Sequence, residues 1–296
     1  MRRRFVTLDV FTGQRFAGNA LAVVLDAEGL ADATLQAIAR EFNLSETVFV
    51  LAPSHPGHRA RLRIFTPLSE LAFAGHPTVG TAALLARLDG GSQTREFLVE
   101  EGVGPVHCTV DPIDEDHAHA RFEVPRPPTA LGPASTPERL AAALGLSPAD
   151  IGCEDFVPTR WSAGVPITFV PVRGLTQIGA CRADLGHWDA IDPPGAAFVF
   201  CRESSDPAHA FHARMFAPPM GVPEDPATGS AAAAFAGVLS QFACPSDGEH
   251  AYVIEQGYEM GRPSLITLFV TVRDRQLSRV AIGGQVVSVS EGTIEA

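Results

Sequence analysis

The sequence predicts an α+β protein of two similar domains, each a set of strands around one buried central helix. Three observations carry this: an internal repeat, two helices that are apolar on every face, and strand-like alternation through most of the rest. "RIFTPLSELAFAGHPTVGTAALLARL" from Arg63 and "RMFAPPMGVPEDPATGSAAAAFAGVL" from Arg214 both open Arg-x-Phe-x-Pro and both reach Pro-x-x-Gly-[Thr/Ser]-Ala-Ala. On that shared string His76 aligns with Asp225, Gly80 with Gly229 and Thr81 with Ser230. "GNALAVVL" pairs with "GVPITFVPV", "TVFV" with "FVFC", and "FLVEEG" with "YVIEQG", in the same order. The domains are expected at 1–125 and 126–281, with the last strand, about 282–296, returning to the first.

Taken in order, "DATLQAIAREF" reads as an amphipathic helix capped by Asp32, with Leu35, Ile38, Ala39 and Phe42 on one face. "HRARLRIF" alternates, placing Arg59, Arg61 and Arg63 opposite Ala60, Leu62 and Ile64, and "AFHARMF" repeats the pattern. "PRPPTALGPASTP", residues 125–137, reads as the linker between halves. "STPERLAAALG" starts a helix at a Ser135 or Thr136 cap with Pro137 in the first turn, and Gly145 ends it. "TVGTAALLARL" and "GSAAAAFAGVLSQF" are small or apolar all round, so each is expected to plug its own domain, with only its N-terminal end reaching solvent. Asp225 or Thr228 is expected to cap the second of them.

Composition narrows the chemistry. The hydrophobic fraction is 46% and supports a sizeable core. A net charge of -12, with no basic run longer than the arginines at 2–4, disfavours nucleic acid and anionic membrane as partners. No apolar stretch approaches a bilayer span and no secretory leader is legible. Five scattered cysteines, never in CxxC spacing, point to reduced thiols and a cytoplasmic location. All 22 basic side chains are arginine. Without lysine there is no pyridoxal Schiff base, no imine-forming aldolase and no Walker-type phosphate loop.

The two helix mouths are where polar residues collect. A helix N-terminus offers free N–H groups and positive dipole to an anion. If the halves pack about a pseudo-twofold axis, the two mouths face a common cleft. The mouths differ at Gly75-His76 against Glu224-Asp225, and Glu46, at the start of "ETVFV", has only Ala197 as its expected counterpart. An unmatched Glu with His and Asp at a duplicated junction reads as an acid–base site. A metal site of His76 with His55 and His58 is disfavoured because those two lie in a loop between strands, and the HxH pair His117 and His119 is expected in an exposed acidic turn away from any central site.

"DVFTGQRFAGNALAVV", "NLSETVFV", "RIFTPLSELAFAGHPTVGTA", "PEDPATGSAAA" and "VIEQGYEMGRPS" together resemble the PhzF-like family of phenazine biosynthesis isomerases, which shares the diaminopimelate epimerase fold. The resemblance implies two pseudo-twofold-related domains, each a strongly curved, mostly antiparallel sheet around a central helix. It implies that Glu46 transfers the proton, with His76 and Asp225 beside it. It also implies that backbone at Gly75 and Ser230 binds a substrate carboxylate, and Gly229 and Asn19 complete the candidate binding set. Family members are usually cofactor-independent, cytoplasmic and homodimeric. The epimerases' two opposed cysteines are absent, since Ala74 precedes Gly75 and all five cysteines lie elsewhere, which excludes a two-thiol racemase.

The leading expectation is a cofactor-free isomerase or epimerase moving a proton at carbon in a small carboxylate-bearing metabolite, with the Glu46 pKa raised by burial. The alternatives are a silent binding protein of the same fold and a hydrolase using Ser230, His76 and Asp225. No GxSxG elbow supports the hydrolase, and Ser230 is expected to be buried in its helix. Loops 53–58 and 218–223 are the expected places for substrate choice.

Overall fold

The computed structural model describes residues 1–191 and 195–296. Their contacts divide into Met1–Pro125 with Ile282–Ala296, and Arg126–Ala281. In the first unit β1 (Arg2–Val10) pairs antiparallel with β2 (Asn19–Val24), and α1 (Asp32–Phe42) crosses over to β3 (Glu46–Leu51), parallel to β2. β4 (Ala60–Phe65) pairs antiparallel with β3 and with the short β5 (Glu70–Leu71). Helix α2 (Gly75–Asp89) then crosses to β6 (Arg95–Glu101), which is parallel to β4 and antiparallel to β7 (Gly104–Pro112). β8 (His117–Glu123) pairs with β7, and the C-terminal strand pairs with both β8 and β1, closing the strands into a ring. α2 packs against β1, β2, β3, β7 and β8 and is buried from Gly75 to Ala86. An apolar face on every side demands partners on every side, and the ring supplies them.

The second unit repeats the order of strand directions. β9 (Thr129–Pro133), α3 (Pro137–Leu144) and β10 (Thr159–Ser162) lead to β11 (Pro166–Pro171), antiparallel to β10. After α4 (Leu175–Ala180), β12 (Ala196–Cys201) runs parallel to β11, and β13 (Phe211–Ala217) antiparallel to β12. β14 (Val222–Asp225) returns along β13, and α5 (Gly229–Phe242) crosses to β15 (Gly248–Gln256), parallel to β13. β16 (Ser264–Arg273) pairs with β15, and β17 (Gln276–Glu295) carries the chain back into the first unit. Phe235 of α5 meets Phe200 and Phe211 edge to face at 4.8 and 4.9 Å. The molecule is mixed α and β, mostly sheet with few helices.

Several local expectations change. Residues 129–133 form an exposed strand paired to β10, so only the flanks of the Pro-rich segment serve as linker. Asp32 is the first helical residue behind an Ala31 N-cap and donates no cap; its carboxylate pairs with Arg63 instead, at 2.7 Å. Thr228 occupies the N-cap of α5, while Asp225 ends β14 three residues earlier. His117 and His119 lie in β8. β13 is buried on both faces, because His212 sits between Glu255 (2.6 Å) and Glu259 (3.1 Å) and Arg214 grips Glu224 with two bonds. Charged alternation marks an exposed face only where no partners cover it.

The register of the repeat also shifts. Arg63 binds Glu70 through Nε and Nη2, both at 2.7 Å, just as Arg214 binds Glu224 at 2.7 and 2.9 Å. A Cβ on Gly102 would stand 2.8 Å from Ala72 Cα, and one on Gly257 2.6 Å from the Pro226 carbonyl. With both helices starting at glycine, Gly75 therefore matches Gly229, and His76 matches Ser230, five residues from the alignment read on the sequence. Glu46 faces Leu21 as Ala196 faces Ile167, so its counterpart is Ala196, not Ala197. Alanine-rich helices tolerate such slips in sequence comparison, because their interior positions are chemically alike.

Candidate active site

In the first unit, three strand and helix ends bring Asn19, Glu46 and His76 together. Asn19 and Glu46 open β2 and β3, which are parallel neighbours, and His76 is the second residue of α2. His76 is 4% exposed and Asn19 1%. The Asn19 side-chain amide lies 3.2 Å from His76 Nδ1. An amide N–H can only donate, so Nδ1 is the bare nitrogen and Nε2 carries the hydrogen. Nε2 lies 3.4 Å from Glu46 Oε2, longer than a formed hydrogen bond, with the Glu46 side chain 17% exposed. Burial pushes the His76 imidazole down to about 3, outweighing the nearby carboxylate. The ring is neutral at physiological pH and presents an Nε2–H donor. The loop leading to Asn19 holds Phe11 and Phe16 at φ 65° and 70°, and the Phe16 amide donates to buried Asp9 at 2.6 Å.

The second unit offers Asp225, Gly229 and Ser230. Thr228 Oγ1 donates to Asp225 Oδ2, so Asp225 is braced by the residue that caps the helix. Gln256 Oε1 accepts the Thr228 amide at 3.1 Å, and its Nε2 donates to the Asp225 carbonyl (2.7 Å) and to Thr228 Oγ1 (3.1 Å). Gly229 is buried, whereas Asp225 and Ser230 are half-buried. Ser230 is thus more accessible than expected. The first-turn N–H groups of both helices, at Gly75 and His76 and at Gly229, Ser230 and Ala231, precede the first intrahelical bonds, made by Thr78 and Ala232. They are donors without intrahelical acceptors, suited to an anion.

Two further residues at these mouths escaped the sequence reading. Thr78 Oγ1 is bonded to the Ala74 carbonyl at 2.6 Å and to Glu101 Oε1 at 2.7 Å. Glu101, like Gln256, ends a strand, precedes a glycine and grips the N-cap side of a central helix. The signal was present in "FLVEEG" and "YVIEQG", where the penultimate residues align. The preceding glutamates anchor loops. Glu100 accepts from the amides of Ser54 and His55 and from His58, which holds its carboxyl at about 2. Burial would raise Glu255, yet donors at Ser205, His209, Asp206 and His212 hold it at about 2.

Loop 53–58 joins the ends of β3 and β4 opposite Glu46, five residues along β3, roughly 17 Å at strand rise. That separates it from the Glu46 mouth, while 218–223 leads directly into Asp225. The two nitrogens of His76 face Asn19 and Glu46. Among the described residues, no three His, Cys, Asp or Glu side chains converge as metal ligands, and no helix is long and apolar enough to cross a membrane.

Comparison with known proteins agrees over the whole length. A family model described as phenazine biosynthesis-like protein matches residues 8–292. The chain is 48% identical to an uncharacterized isomerase of Mesorhizobium japonicum, covering 99% of this chain and 98% of that one. It is 35% identical to the trans-2,3-dihydro-3-hydroxyanthranilate isomerase of Pseudomonas fluorescens, covering 98% of each. A crystal structure of a PhzF-family phenazine biosynthesis protein from Bacillus anthracis superimposes with a TM-score of 0.89 at 26% identity, covering 100% of both chains.

Proposed function

We propose a chemistry for this chain, which belongs to the phenazine biosynthesis-like family and, like its curated relatives, is an isomerase. Glu46 moves a proton at carbon in a small carboxylate-bearing metabolite, shifting a double bond or inverting a centre without a cofactor. The observation that carries this reading is the Glu46 carboxylate beside a buried, neutral imidazole whose tautomer Asn19 fixes. A neutral Nε2–H can steady the Glu46 carboxylate or donate to substrate without taking the proton for itself. The carbon acid gives its proton to Glu46, and the electron pair spreads toward the substrate carboxylate or double bond. The first-turn N–H groups at Gly75 and His76, and at Gly229 and Ser230, support the accumulating negative charge. Asp225, braced by Thr228, receives a substrate hydroxyl or amine, or returns the proton.

Similarity to the trans-2,3-dihydro-3-hydroxyanthranilate isomerase of Pseudomonas fluorescens supports a cyclic hydroxy amino carboxylate as the substrate class. The family resemblance supports a cytoplasmic homodimer, and four buried free thiols with one exposed, Cys244, fit a reducing compartment.

Turnover of trans-2,3-dihydro-3-hydroxyanthranilate in heavy water tests it. Deuterium is expected at one carbon of the product, provided the abstracted proton exchanges before return. Glu46→Gln keeps the shape and removes the base, so kcat should fall by roughly two to four orders of magnitude with little change in binding. Intact turnover in Glu46→Gln would overturn the assignment. A protein that binds this carboxylate yet never exchanges label would be the silent binder instead.

A further inference from the structure

We propose that Glu101 is a positioning residue of the α2 mouth that works as a neutral, protonated acid, and that its ionisation weakens carboxylate binding there. The proposal rests on the reading of the mouth as a carboxylate site and adds a residue and a pH response to it.

The geometry favours the proton. Thr78 Oγ1 has one hydrogen and lies 2.6 Å from the Ala74 carbonyl and 2.7 Å from Glu101 Oε1. The Ala74 carbonyl can only accept, and an ionised Glu101 would compete with it for that one hydrogen. Both contacts are full hydrogen bonds when the hydroxyl donates to Ala74 and a protonated Glu101 donates to Thr78. The other oxygen, Oε2, is buried without a hydrogen-bond partner, a position that an ionised carboxylate tolerates poorly. Burial accordingly pushes Glu101 up to about 8.

Among the described residues, the groups around it offer no compensating cation. Arg63 of β4 is engaged by Glu70 of β5 and by Asp32. Arg61 of β4 is exposed, and Glu100 on the same strand is already an anion. From β7 comes only the Cys108 thiol, itself pushed up by burial, and on α2 His76 is neutral. The second unit carries the neutral equivalent outright, because Gln256 grips the Thr228 N-cap from the corresponding strand end. Deprotonating Glu101 would remove a donor to Thr78 and put an anion against the first turns of α2, which also carry the N–H groups of Gly75 and His76. Both changes oppose a bound carboxylate.

Anthranilate is a suitable probe, since its carboxylate stays ionised across neutral and alkaline pH. In the wild-type chain its affinity should fall at least about tenfold between pH 7 and 9.5, whereas Glu101→Gln should bind as tightly at pH 7 and vary less than about twofold. Amide NMR of the unliganded protein gives a second readout: the Gly75 and His76 resonances should titrate with a midpoint near 8 in wild type and not in Glu101→Gln. Wild-type amides that do not move, or an equal alkaline loss in Glu101→Gln, would overturn the proposal. If anthranilate binds neither protein at any pH, the carboxylate reading of the mouth fails, and the amide titration decides the state of Glu101 alone.

Discussion

Acid should destabilise the first unit through His76, and the size of the effect follows from its burial. The folded-state imidazole sits at about 3, against an ordinary 6.5 in the unfolded chain. Between those values the unfolded chain holds a proton that the folded chain refuses, so stability is complete above 6.5 and falls as pH drops through the window. Well inside the window each pH unit costs about 1.4 kcal/mol, so acidification from 6.5 to 4.5 should remove about 2 kcal/mol. His76→Gln keeps a side chain that can bond to Asn19 and cannot be protonated there. Other groups titrate equally in both proteins and cancel in the difference. The test is urea unfolding by far-UV circular dichroism at each pH, because both tryptophans, Trp161 and Trp188, belong to the second unit and fluorescence would miss the first. The stability of wild type relative to His76→Gln should fall with acid over this range and be flat above 7. Parallel curves for the two proteins would refute the buried, neutral imidazole on which the site's proposed chemistry depends.

In α5, a Cβ on Gly237 would lie 2.2 Å from Trp161 Cε3, so Gly237→Ala should destabilise by about 1–3 kcal/mol despite its better helix propensity, measured by tryptophan fluorescence in urea. Replacing Arg214 with alanine leaves Glu224 without its bidentate partner and the Ile178 and Cys181 carbonyls without their donor, and should cost about 3–5 kcal/mol in the same assay. A loss below 1 kcal/mol would mean that the pair is as weak as an exposed one.

The apolar run of α2 required burial on all sides, and the alternation of β4 specified which side chains enter the core. These features depend on local periodicity, which a sequence displays directly. Five motifs in order made the family legible for the same reason, as did Glu46 and His76 within them. The meeting of Asn19, Glu46 and His76 lay beyond periodicity, because it depends on where β2, β3 and α2 begin relative to one another in the ring. The cap of α5 stayed open between Asp225 and Thr228 because both are good caps by type, and only the path of β14 into the helix decides for Thr228. The alternation of "AFHARMF" does not show that His212 and Arg214 are buried, because the acids that cover them come from other elements. In "VEEG" Glu101 is one half of an acidic pair. Neighbours in sequence, Glu100 and Glu101 point to opposite faces of one strand, where three donors keep the first ionised and a dry core keeps the second neutral. Residue type sets the ordinary pKa, but the surrounding dielectric and donors set the charge, and those exist only once the chain has folded.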